Sequence, residues 1–121
     1  MENFERRNGY IYVKYSEPYQ LQKFVTISKQ VYNICLAEKY NKILVDISSM
    51  PGKVKPMERF KIGVEGALIF RNIVKISVLY RAEEIDKFAE TVGVNRGLNG
   101  RIFSDMDEAL TWLGIDKSEN Q

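Results

Sequence analysis

Residues 42–47, KILVDI, constrain this chain more than any other stretch. Ile43, Leu44 and Val45 follow one another with no polar residue between them. In an extended conformation their side chains point alternately to opposite faces, so both faces need apolar cover. That is the condition of a strand inside a parallel sheet flanked by helices. Pro51-Gly52 then forces a break.

The rest of the sequence supplies the cover. YIYVKY (10–15) is rich in strand formers and follows Asn8-Gly9, a pair that accepts the positive φ of a hairpin turn. A first strand over 3–7 is expected before it. Leu21, Phe24, Ile27, Val31, Ile34 and Cys35 recur at helical spacing, predicting a helix from near Pro18 to about Lys39. A second helix begins near Pro56 or Met57, with Met57, Phe60, Val64 and Leu68 as its apolar stripe. Gly63, Gly66 and Ala67 lie inside it, where glycine is costly unless a neighbour approaches closely, here expected to be the sheet.

IVKISVLY (73–80) predicts another strand, and AEEIDKFAETVG (82–93) a third helix with Ile85, Phe88, Ala89 and Val92 inward and Gly93 at its C-cap. Arg101–Phe103 predicts a short last strand. SDMDEALTWLG (104–114) predicts a final helix capped by Ser104 with Asp107, burying Met106, Ala109, Leu110 and Leu113 and ending at Gly114. The expected order is ββαβαβαβα: one α/β domain over residues 1–121, with a mainly parallel central sheet, helices packed against it and a disordered tail over 115–121.

Charge is unevenly distributed. Residues 47–81 carry seven basic and two acidic groups, net +5, and residues 82–121 carry four and nine, net −5. Such a dipole orients encounters with partners. A nucleic-acid surface requires cations interleaved with Tyr10, Tyr12 and Tyr15, and Lys14 alone does not supply them, so no nucleic-acid partner is expected. The single cysteine excludes an internal disulfide and suits a reducing compartment. No apolar run reaches the roughly 18 residues that span a bilayer, and MENFERRNGY lacks a signal-peptide core, so the expected location is cytoplasmic.

The element order, the KILVDI strand ending in Asp46 and the closing GRIFSDMDEALTWLG resemble the STAS superfamily, and within it the SpoIIAA-like branch of small bacterial proteins. The resemblance covers about residues 8–114. It implies a regulatory or protein–protein interaction module rather than an enzyme, with another protein, or a second copy of the chain, as partner. In the anti-sigma factor antagonists of that superfamily a partner kinase phosphorylates a serine in an Asp-Ser-Ser-Gly motif. This chain instead has Asp46-Ile47-Ser48-Ser49-Met50-Pro51-Gly52, with the register shifted and a proline intervening, so the phosphosite does not carry over. The branch is sometimes grouped with the CRAL-TRIO lipid-transfer fold. A carrier or sensor of a small apolar or amphipathic, lipid-like ligand is therefore the alternative.

Read from the residues, catalysis is hard to build. The chain has no histidine, the commonest general base and nitrogen metal ligand. No Asp/Glu cluster has metal spacing, and no cofactor is expected. Cys35 falls on the buried stripe of the first helix and should be inert. Three sets of residues remain as candidates. Ser48 and Ser49 are turn residues or a switch. Lys53, Lys55 and Arg59 surround a helix N-terminus that favours anions or an acidic partner. Asp46, Met57 and Phe60 are candidates to face a ligand, Asp46 because α/β sheets bind ligands beyond the carboxyl ends of their strands.

Overall fold

The computed structural model describes residues 3–70 and 74–116. In chain order they form β1 (Phe4–Arg7), β2 (Tyr10–Lys14), α1 (Leu21–Glu38), β3 (Lys42–Asp46), α2 (Pro56–Phe70), β4 (Lys75–Leu79), a 3-10 turn (Ala82–Glu84), α3 (Phe88–Asn95), β5 (Asn99–Phe103) and α4 (Met106–Leu113). The strands lie side by side in the order β1-β2-β3-β4-β5. The sheet is mixed: β1 runs antiparallel to β2, whereas β2–β3, β3–β4 and β4–β5 are parallel. Ile73, the expected first residue of the fourth strand, lies outside the described residues.

β1 forms despite its polar Glu5-Arg6-Arg7 because its arginines find partners. The Arg6 guanidinium forks onto Glu38 of α1 at 2.6 and 2.7 Å. The Arg7 guanidinium lies 3.8 Å over the Tyr12 ring. Gly9 takes φ 89° in the turn that joins β1 to β2.

The two sheet faces are covered unequally. Tyr10, Tyr12, Leu44 and Leu79 pack under Ala109, Leu110 and Leu113 of α4 alone. Ser77 permits that close approach: it is fully buried and donates to the Ala109 carbonyl at 2.9 Å. Lys75 Nζ donates to the Trp112 carbonyl at 2.5 Å and lies 4.4 Å from the Trp112 ring, a cation on the last turn of α4. On the opposite face Ile11, Val13, Ile43 and Ile76 meet Val31 and Cys35 of α1 and Phe70 of α2. Cys35 is buried, which pushes its thiol up to about 11. No helix among the described residues is long and apolar enough to cross a membrane.

Four expectations change. The helix expected over 82–93 is broken. Asp86 accepts from the Phe88 amide at 3.0 Å and pairs with Arg59 at 2.9 Å, Lys87 takes φ 65°, and α3 starts only at Phe88. Phe88 is 42% exposed rather than inward, and Gly93 lies inside α3 rather than capping it. The cap of α4 is Asp105, which accepts from the Glu108 amide at 2.9 Å, in place of Ser104. In the expected tail, Ile115 is buried against the α4 face and its amide donates to Leu110 at 3.0 Å. Residues 117–121 lie outside the described residues.

The fourth change concerns α2, whose buried face is Gly63, Gly66, Ala67 and Phe70 rather than the expected stripe, Met57, Phe60 and Leu68 being exposed, and whose glycines serve α3 and its flank rather than the sheet. A Cβ on Gly63 would sit 2.8 Å from the Ala89 carbonyl and from Val92, whereas one on Gly66 would meet only Leu98, at 3.5 Å. Gly66→Ala should therefore be neutral or stabilise by up to about 1 kcal/mol through helix propensity. Gly63→Ala should destabilise by roughly 1–3 kcal/mol because backbone has to move. Paired urea melts measure the difference, and equal effects would contradict the α2–α3 contact.

Candidate functional site

The loop that leaves β3 is held by its own polar groups. Asp46 is buried and accepts from the Tyr12 hydroxyl at 2.5 Å, the Ser48 amide at 3.0 Å and the Ser48 hydroxyl at 2.6 Å. Burial by itself would raise its pKa. The hydrogen bonds from Ser48 and Tyr12, with Lys14 nearby, outweigh it and hold the carboxylate below its ordinary range. Ser48 is thus the near partner of a turn-forming aspartate, and a phosphate there would face a buried carboxylate. Ser49 is exposed.

Two arginines fasten the rest of the loop. Arg81 donates to the carbonyls of Met50 and Gly52. Arg59 donates to the Val54 carbonyl and the Glu84 carbonyl, each at 2.7 Å, and pairs with the carboxylates of Asp86 at 2.9 Å and Glu84 at 3.7 Å. The Arg59 and Glu84 side chains are only 13% and 9% exposed. Arg59 therefore binds the fold together, whereas Lys53 and Lys55 project into solvent. Met57 is 64% exposed and Phe60 37%, with the Arg96 guanidinium 5.3 Å over the Phe60 ring. The structure thus puts Lys53, Lys55, Met57 and Phe60 on the surface. It turns Asp46 toward the α4 face and builds Ser48 and Arg59 into local networks.

Behind the loop lies a feature that the sequence reading did not locate. An apolar cavity of about 180 Å³ opens between the sheet and helices α1, α2 and α3. Its floor is Val13, Val45, Ile76 and Val78 from the parallel strands, and its roof is Phe24, Ile27, Ile62, Gly63 and Gly66. Tyr15, Tyr19, Ile47, Met50, Val54 and Tyr80 close the end beyond the strands. Arg59, Glu84 and Asp86 line it too.

The cavity wall contains two tyrosines, Tyr19 and Tyr80, whose buried hydroxyls have no hydrogen-bond partner among the described residues. Burial, with a smaller push from nearby Glu58, raises Tyr19 to about 12, although Glu58 does not reach it with hydrogen-bonding geometry. Burial raises Tyr80 too, against the pull of Arg59 and Arg81. Both phenols are therefore protonated at neutral pH and able to donate. No group of three or more His, Cys, Asp or Glu among the described residues is placed to hold a metal ion.

No protein-family model matches the chain, and no curated protein matches its sequence.

Two outcomes follow from this geometry. Because the folded pKa of Asp46 is depressed, its contribution to stability is complete above its ordinary value of 3.8 and is lost as pH falls through the lower folded value. Asp46→Asn should flatten that acid limb in denaturant melts taken from pH 2 to pH 6; an unchanged slope would remove Asp46 from the acid transition. Arg59→Met should cost roughly 3 kcal/mol by leaving Glu84 buried without its counter-ion, whereas Lys53→Met should change stability by less than about 0.5 kcal/mol.

Proposed function

We propose that this chain is a non-enzymatic module that binds a small apolar molecule, as its carrier or sensor, in the cavity between the sheet and α1–α3. The observation that carries the reading is the cavity itself: about 180 Å³ of space walled by aliphatic and aromatic side chains, with unpartnered hydroxyls in its lining. Protein interiors are close-packed, and voids larger than a water molecule are few. An apolar void of roughly 150 Å³ is known to stay dry and to hold a benzene ring. The charged groups at the cavity favour binding over catalysis, since Arg59 is paired with both Glu84 and Asp86.

The resemblance to the SpoIIAA-like branch of the STAS superfamily belongs to the same proposal, supported by the ββαβαβαβα order. A second reading, contact with an acidic protein partner, is favoured by the exposed Lys53, Lys55, Met57 and Phe60 at the start of α2. On that reading, Lys53→Glu with Lys55→Glu weakens capture of the partner in a salt-dependent way and leaves the fold intact.

Toluene tests the cavity. At ten times its Kd it should raise Tm by roughly 5 °C. Val78→Phe, which fills the cavity from its floor, should fold and lose that response. A wild-type protein indifferent to saturating toluene would overturn the ligand-binding reading.

A further inference from the structure

The cavity wall is not uniform, and its polar end narrows the chemistry of what fits. Tyr80 follows β4, is 6% exposed, and its buried hydroxyl has no hydrogen-bond partner among the described residues. Tyr80 lines the cavity together with aliphatic side chains such as Ile62, Val78 and Ile102. An unbonded buried hydroxyl is costly, and a ligand oxygen would relieve that cost. Charged residues in the lining are Arg59 and Arg101 against Glu84, Asp86 and Glu90, two cations to three anions. An anionic head group therefore meets net repulsion, and any bare charge meets apolar walls that cannot solvate it. The volume suits one ring rather than a long acyl chain.

We infer that the cavity takes a neutral, single-ring or equally compact molecule bearing one hydroxyl or carbonyl oxygen, and that this oxygen bonds the Tyr80 hydroxyl. The inference rests on the cavity being a binding site and adds the class of ligand. A wholly apolar cavity disfavours phenol against toluene, because the phenol hydroxyl would be buried unpaired. A cavity with a hydroxyl partner removes that penalty. Phenol and toluene, nearly equal in shape, thus separate the two cases.

Isothermal titration of the full chain with phenol, toluene and benzoate provides the test, together with Tyr80→Phe and Tyr19→Phe. The wild type should bind phenol at least as tightly as toluene, and benzoate more weakly than either. Tyr80→Phe should weaken phenol about tenfold, the equivalent of ~1.4 kcal/mol, and leave toluene within about twofold. Toluene binding by Tyr80→Phe also reports that the variant is folded. Phenol far weaker than toluene in the wild type overturns the inference while the cavity stands as an apolar site. So does a phenol affinity that survives Tyr80→Phe and falls in Tyr19→Phe. Benzoate binding tighter than phenol overturns the neutral class. Failure of all three probes on the wild type overturns the binding site itself.

Discussion

The fold depends on burying β3 and β4 on both faces. Each has a strand on either side and runs parallel to both neighbours, so neither gains a solvent-facing side through position in the sheet. One face is sealed by an eight-residue helix, α4, drawn close by Ser77 and held at its end by Lys75. The other is covered by three helices, and these do not close completely. α2 meets α3 through Gly63 at near-backbone distance, leaving the space between that pair, α1 and the sheet unfilled. Tight contact on one side of α2 and a void on the other are parts of one arrangement.

Where apolar packing runs out, polar fastening takes over. The segment between β3 and α2 contributes Met50 and Val54 to a small satellite cluster with Tyr80. Its backbone is anchored by two arginines from elsewhere in the chain, Arg59 through Val54 and Arg81 through Met50 and Gly52. Guanidinium groups suit this work because their several donors are fixed in one plane and remain charged. The same Arg59 spans to the 3-10 turn after β4, so one side chain joins three segments around the end of the cavity. The β3 loop and the cavity are thus one structural unit, fastened by Arg59 and Arg81, while the loop's own charges, Lys53 and Lys55, face solvent.

Periodicity located the elements well because it is a local property. The run Ile43-Leu44-Val45 specified a doubly covered strand, and Ala109, Leu110 and Leu113 specified the buried face of α4. Periodicity failed at 82–93. There the apolar spacing of Ile85, Phe88 and Val92 fitted a helix, but Asp86 was recruited by Arg59 from a distant helix. A bond between residues 27 positions apart leaves no mark in a local window. The same reason explains Arg59, which sequence placed among free cations and the structure places in a pair of salt bridges.

What the sequence determined by itself was the alternation of strands and helices, the buried stripe through Val31 and Cys35, and the turn chemistry at Gly9 and Gly114. Each follows from side-chain spacing or from φ preferences within a few residues. Only the tertiary structure decided that Asp46 turns toward Tyr12 and away from the cavity, that Gly63 serves α3, and that Tyr80 is buried with its hydroxyl unpartnered. A cavity is space that several elements jointly fail to fill, and a buried hydroxyl lacks a partner only once its neighbours have been placed. Both depend on distances between segments that no local pattern encodes.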